Sequence, residues 1–139
     1  MIESGMINME FADRAVITTL IDNHIEDHAL ESRAFISRFS ARAKANLPID
    51  FWPQAEHGLA LHITVYKNGK KHNILFDSGG GKNSVLINMK KTGINPQSLD
   101  TCIPSHCHFD HTGGFAGILH KTRGHTDFIA NRSLLSLKA

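Results

Sequence analysis

Thr101 to Gly117 reads TCIPSHCHFDHTGGFAG, and the rest of the chain is best read outward from it. A short apolar run leads into His106, His108, Asp110 and His111, four potential metal ligands within six residues, followed by Thr112 and a glycine pair. If the strand ending near Ser105 stays extended, His106 and His108 project to the same side, because side chains alternate along a strand. Asp110 and His111 are neighbours, so in a regular backbone they point apart. One imidazole pair then serves one ion, and the carboxylate with the last imidazole serves a second. Nitrogen and oxygen donors of this kind suit zinc, with iron or manganese also compatible. Gly113 and Gly114 let the chain turn tightly into a following helix.

Upstream, Ala60 to Tyr66 alternates Leu61, Ile63 and Val65 with other residues, extending the pattern begun at Leu59, which predicts a half-buried strand. Asn68-Gly69 is a hairpin turn pair, and HNILF, His72 to Phe76, is the returning strand. It ends at Asp77, followed by Ser78 and three glycines that lack the Lys-Ser/Thr of a phosphate-binding loop. A helix is expected from Lys82 to Gly93, with Gly93 as its stop and Pro96 beyond. Thr101 to Ser105 is the strand that delivers the histidine loop, Phe115 to Lys121 a helix, and Asp127 to Ala130 a short strand. Asn131 is placed to cap a helix that has barely begun at Ala139.

Towards the N-terminus, AVITTLI, Ala15 to Ile21, is β-branched and reads as a strand. Asp22-Asn23 after it is a turn pair, either plain or at the rim of a site. Leu30, Ala34, Phe35 and Phe39 recur at helical spacing between Glu26 and Lys44. Asn46 to Pro53 has no usable period and reads as a loop, whose aromatics either pack on the core or wall a site. Residues 1–14 read as a loose leader.

His106-Cys107-His108-Phe109-Asp110-His111 resembles the metal-binding motif of the metallo-β-lactamase superfamily. That resemblance implies that His106 and His108 bind one metal and Asp110 with His111 the other, Asp110 also orienting the attacking water. The run Ile74 to Gly79 is similar to a second superfamily motif, in which Asp77 accepts hydrogen bonds that orient the ligand loop. The pair Asp22-Asn23, the long loop, Glu56-His57-Gly58 and the Ile74 to Gly79 run look most like the 7,8-dihydropterin-6-yl-methyl-4-(β-D-ribofuranosyl)aminobenzene 5'-phosphate synthase-like branch. There His57 is a substrate contact or a residue supporting the metal ligands; a polar residue at a strand start is the plain alternative. The implied fold is α/β, the N-terminal half of an αββα sandwich over residues 15–139, with one mixed sheet and flanking helices. The implied activity is hydrolysis of an ester, lactone, amide or phosphoester in a small molecule by a metal-bound water, with zinc in one or two positions. Full-length relatives supply a further His, a bridging Asp and a last His, and none of these follows Ala139. The competing expectation is a truncated, non-catalytic half-domain that holds metal weakly and acts by association.

With 139 residues, 41% hydrophobic and 20% charged, the chain is one ordinary globular domain's worth. A net charge of +2, with no basic run longer than Lys70-Lys71 or Lys90-Lys91, gives no reason to expect a nucleic-acid partner. No apolar stretch reaches the length of a membrane span. Two cysteines, Cys102 and Cys107, build no disulfide framework, so a reducing cytoplasm is the expected compartment. Half a sandwich leaves the inner face of its sheet uncovered, which predicts homo-oligomers or association through that face.

Overall fold

The computed structural model describes residues 10–23, 34–35, 52–132 and 134. Most of the expected 26–44 helix, most of the 46–53 loop and all but the first residues of the expected C-terminal helix lie outside them. Five strands form one mixed sheet in the order β1-β2-β3-β4-β5. They are β1 Arg14–Ile21, β2 Ala60–Lys67, β3 Lys70–Phe76, β4 Thr101–Ile103 and β5 Asp127–Phe128. The first three pair antiparallel, and β4 and β5 continue parallel to β3. Between β3 and β4 the chain passes through α1 Ser84–Thr92, and between β4 and β5 through α2 Phe109–Thr112 and α3 Phe115–Thr122. The result is an α/β sheet whose parallel part carries the helical crossovers, as parallel pairing requires.

Local chemistry sets the boundaries. Asn68 and Gly69 both take positive φ, 49° and 74°, the conformation that matches the twist of a two-residue hairpin. Helix α1 ends at Gly93 with φ 76°, and Ile94 N–H returns to Met89 O at 2.8 Å, so that Ile94 packs against the core. The core joins Leu20, Ile21, Ala60, Leu75 and Cys102 of the sheet to Val85 and Met89 of α1 and Phe115 and Ile118 of α3. Each Leu, Ile, Val, Met or Phe side chain among them contributes roughly 1.5–3 kcal/mol when fully buried. Buried Asn88 adds a polar anchor: its Nδ2 donates to Leu20 O at 2.7 Å and Gln54 O at 2.8 Å, and its Oδ1 accepts from Gln54 N. Helix α1 is thereby tied both to the end of β1 and to the segment entering β2.

The buried face of β2 is not the one its apolar alternation suggests. Ala60, His62 and Thr64 are buried, whereas Leu61, Ile63 and Val65 are only partly so. The helices cover the face made by Ala60, Leu75 and Cys102. Register places Ile17, Ile63 and Ile74 side by side on the other face, with Leu61 beside Phe76 and Ile103. Ile17 is 62% exposed there. The helix-side face absorbs its polar members in pairs: Thr64 Oγ1 donates to Asn73 Oδ1 at 3.0 Å, and Asn73 Nδ2 donates to Ser98 O at 2.9 Å. Among the described residues no helix is long and apolar enough to cross a membrane.

His62 is the exception to that pairing. It is buried, and its Nε2 has no hydrogen-bond partner among the described residues. Desolvation, with a smaller contribution from the nearby Lys71 charge, lowers its pKa below the usual 6.5. Below about pH 6.5 the unfolded chain therefore binds a proton at His62 that the folded chain resists, so acid favours unfolding. Urea titrations between pH 5 and 8 should show the stability of the native chain falling below pH 6.5 more steeply than that of His62→Gln. Parallel curves for the two proteins would show that His62 titrates normally.

Candidate metal centre

Strand β3 ends at Asp77, and Asp77 holds the neighbouring loop in place. Its φ is 59°, a left-handed conformation that Asp tolerates better than most residues. Its backbone N–H donates to Ile103 O at 3.0 Å, extending the contact between β3 and β4. The side chain is fully buried. Oδ1 accepts from Ser105 N at 2.7 Å, and Oδ2 faces Ser105 Oγ at 2.8 Å and His111 Nδ1 at 2.7 Å.

Those contacts dictate where protons sit. A carboxylate only accepts, so His111 carries its hydrogen on Nδ1 and keeps a lone pair on Nε2. Ser105 Oγ spends its hydrogen on Asp77 and must accept from His106 Nδ1, which lies 2.9 Å away. His106 therefore also keeps its lone pair on Nε2. That atom meets His108 Nδ1 at 3.0 Å, which makes His108 the donor and leaves its Nε2 free. One buried carboxylate thus orders the three imidazoles through Nδ1–H donors, leaving Nε2 of His108 and His111 turned away from the chain of hydrogen bonds while Nε2 of His106 is engaged by His108, the way an outer acceptor orients metal-binding histidines.

The backbone brings the ligands together differently from the expected pattern. Strand β4 stops at Ile103 and the chain bends through 105–107, so the rings of His106 and His108 meet at 4.6 Å between centroids through a bent loop and not through strand alternation. Asp110 and His111 lie on the helical turn α2, and they do not point apart: His111 Nε2 is 3.4 Å from Asp110 Oδ2. The His106 and His111 rings are 4.2 Å apart, so all four residues form one cluster. Cys107 is exposed and does not pack under the loop as its position between two same-side histidines suggests; Cys102 is buried, and burial pushes its thiol up to about 12.

Gly113 and Gly114 serve close approach, not a left-handed turn. Both are right-handed, with φ −60° and −84°. A side chain at Gly113 would run into Gly80 O, and one at Gly114 into Ser78 O. Ser78 N–H donates to His111 O at 2.8 Å, and Ser78 Oγ accepts from Gly114 N at 3.1 Å. His57 approaches from the segment before β2. Its Nε2 lies 3.3 Å from Asp110 Oδ2, its Nδ1 lies 3.0 Å from Asn23 Oδ1, and its side chain is 69% exposed. Asn23 Oδ1 also accepts from Gly58 N at 2.8 Å. Among the described residues no three His, Cys, Asp or Glu side chains converge as a set on one point. The chemistry of the donors nevertheless fits a divalent ion: three imidazoles, those of His108 and His111 with Nε2 outside the hydrogen-bond chain, beside a carboxylate. Ser105 and Ser78 were not singled out by motif reading; the signal available was a hydroxyl directly before the first histidine and another directly after Asp77.

Residues 58–126, which include both the Asp77 loop and the histidine loop, match the family described as the metallo-beta-lactamase superfamily. This segment is of the metallo-β-lactamase superfamily. It is similar to the 7,8-dihydropterin-6-methyl-4-(beta-D-ribofuranosyl)-aminobenzene-5'-phosphate synthase of Methanocaldococcus jannaschii, with 42% identity over 87 residues, 63% of this chain and 29% of that protein. It is also similar to the Ribonuclease Z of Aeropyrum pernix, 38% identical over 55 residues, 40% of this chain and 17% of that protein. A metallo-β-lactamase structure from Novosphingobium pentaromativorans matches 52% of this chain and 26% of its own at 28% identity, with a TM-score of 0.39. The chain thus spans less than a third of the length of the curated superfamily relatives it matches.

Two substitutions separate the roles of Asp77. Asp77→Asn suits the left-handed backbone but cannot accept from both Ser105 Oγ and His111 Nδ1, so nitrogen-15 imidazole spectra should show His111 and His106 losing their fixed Nδ1–H form. Asp77→Ala leaves buried donors without their acceptor and should lower the unfolding free energy by about 3 kcal/mol in urea. Unchanged imidazole spectra in Asp77→Asn would show that the tautomers are set elsewhere.

Proposed function

We propose that this chain carries the metal-binding part of a metal-dependent hydrolase of metallo-β-lactamase type, with zinc as the expected ion and a small molecule carrying an ester, lactone, amide or phosphoester as substrate. The observation that supports this best is the Asp77 network, which orients the His106 and His111 rings through their Nδ1 atoms beside a half-buried carboxylate within a superfamily segment. His106, His108, Asp110 and His111 would hold the metal. A divalent ion there supplies Lewis acidity, which lowers the pKa of water and polarises the bond to be cleaved. The chain's own groups do the positioning. Asp77 holds the His106 and His111 rings in one tautomer, Ser105 passes that constraint to His106, and the Asp110 carboxylate lies open on the side of exposed His57. Asp110 is the group placed to accept a proton from attacking water and to orient it. One relative is named as a synthase of a compound that carries a ribofuranosyl 5'-phosphate and the other as a ribonuclease, which makes phosphoesters the first substrates to test.

Metal content and turnover of phosphoester, lactone and β-lactam chromogenic substrates should be compared for His108→Ala, Asp110→Asn and Cys107→Ala. The first two are expected to lose metal and at least 100-fold in any turnover observed, the scale of losing a metal or a positioned general base. Cys107→Ala should keep both. Loss of metal in Cys107→Ala would make the exposed thiol a ligand and overturn the assignment of donors.

The partly covered aliphatic face favours a second reading, in which the chain binds metal weakly and works through association with another chain. Ile17, Ile63, Ile74, Leu61, Phe76 and Ile103 line one apolar face, on which Ile17 is exposed and the other five are half-buried, and soluble monomers rarely leave a large apolar face open. On that reading the chain sediments as a dimer or larger species and binds a hydrophobic dye, and Ile63→Lys with Ile74→Lys reduces both. A monomer without dye binding would leave no room for it.

A further inference from the structure

We infer that the outer edge of β1 is a docking edge for a second copy of this chain, the two β1 strands pairing antiparallel about a two-fold axis at Ile17. This interface is separate from the aliphatic face of the sheet and rests on other residues. Strand β1 ends the sheet: β2 pairs with one side of it, and among the described residues no strand pairs with the other. From Ala15 to Ile21 it carries neither a charge nor a proline, and Val16, Ile17, Thr18 and Thr19 are all β-branched. Sheets ordinarily blunt an open edge with Lys, Pro or a very short strand, because its free N–H and C=O groups template another strand. Here the strand is eight residues long, and its bulge comes only after Thr19, so that Arg14 to Thr19 keep a regular register.

The pattern of exposure selects an added strand over a partner laid on a face. Val16 is 40% exposed and Ile17 is 62% exposed, and as neighbours in a strand they lie on opposite faces of the sheet. Further into the sheet, Ile63 and Ile74 are half-buried, so the open apolar surface is concentrated on the edge strand. A partner laid on the aliphatic face would cover Ile17 and leave Val16 in water. Only a strand alongside β1 covers both.

Charge selects a second copy as that strand, and the antiparallel direction. Arg14, whose guanidinium lies over the Tyr66 ring, precedes the uncharged stretch, and exposed Asp22 follows it. Antiparallel pairing of two copies brings each Arg14 to the end of the other strand, where the partner's Asp22 stands, whereas parallel pairing would set like charges side by side. Asp13 is turned the other way, towards the hairpin, where its Oδ2 accepts from Asn68 N at 2.7 Å. Centring on Ile17 sets that residue opposite its own copy and Val16 opposite the partner's Thr18, β-branched pairs of the kind that stabilise adjacent strands. Backbone hydrogen bonds along the two edges supply the affinity, as in other cases of strand addition.

Cysteine crosslinking reads this interface directly. In the full chain carrying Cys107→Ala, where the remaining Cys102 is buried, Ile17→Cys and Ile63→Cys are oxidised side by side with copper phenanthroline, and covalent dimer is followed on non-reducing gels. Ile17→Cys is expected to dimerise about 10-fold faster than Ile63→Cys, because the edge register sets residue 17 against its own copy. Adding Val16→Lys to Ile17→Cys should bring the rate down to that of Ile63→Cys, with the thermal melt unchanged because Val16 is exposed. Arg14→Glu and Asp22→Lys should each slow the Ile17→Cys crosslink, and the two together should restore it. A rate for Ile17→Cys no higher than for Ile63→Cys, or one untouched by Val16→Lys, overturns the edge interface. Faster crosslinking of Ile63→Cys overturns it too and moves the contact to the aliphatic face, so failure of this inference is distinct from failure of association through that face.

Discussion

The site depends on a buried carboxylate that has nothing but donors around it. Asp77 sits at the end of β3, fully buried, and its two oxygens take a backbone N–H, a hydroxyl and an imidazole N–H, all within 2.8 Å. A buried charge is tolerable only when paired and fully hydrogen-bonded, so the loop around Ser105 and the turn carrying His111 cannot move independently of β3. The same contacts fix which ring nitrogens are free. Fold stability and ligand chemistry therefore rest on one side chain.

Around that carboxylate, backbone lies directly on backbone. The Ser78–Gly81 loop, the segment at Gly58 and the Gly113-Gly114 corner approach so closely that a β-carbon at Gly58, Gly113 or Gly114 would meet a carbonyl oxygen. Ser78 closes the arrangement by bonding to both His111 O and Gly114 N. Such packing of loops places ligand side chains with the rigidity usually associated with regular elements, and it explains why a four-residue helical turn suffices to carry Asp110 and His111. It also accounts for the long glycine-rich stretch after β3 without a bound phosphate.

Much of this was legible in the residues. The hairpin at Asn68-Gly69, the stop of α1 at Gly93, the strand before the histidine loop and the superfamily itself follow from turn chemistry, capping and one dense motif. What was not legible depends on three-dimensional partners. The apolar alternation of β2 marks a face but cannot say which face the helices take, and here they take the one with Ala60, His62 and Thr64. Neighbouring residues point apart in a regular element, yet Asp110 and His111 touch, because α2 is a single short turn. The glycine pair was read as a turn when its purpose is contact. Ser105 was missed because a serine carries no signal of its own; only its place between a buried carboxylate and a histidine gives it a role.

The uneven faces of the sheet bear on the site as well as on association. The strand ends that carry Asp77 and Ser105 follow directly from Phe76 and Ile103, which lie side by side in the register and, with Leu61, end the aliphatic face. Helices α1 and α3 support those strands from the opposite side, through Leu75 and Cys102. The strand ends are thus firmly packed on one face and only partly covered on the other. Since Asp77 N–H bonds to Ile103 O at the same point, any surface that covers Phe76 and Ile103 also presses on the residues that anchor Asp77. Burial of the aliphatic face and rigidity of the ligand cluster are linked through two adjacent strand ends, with no longer path needed.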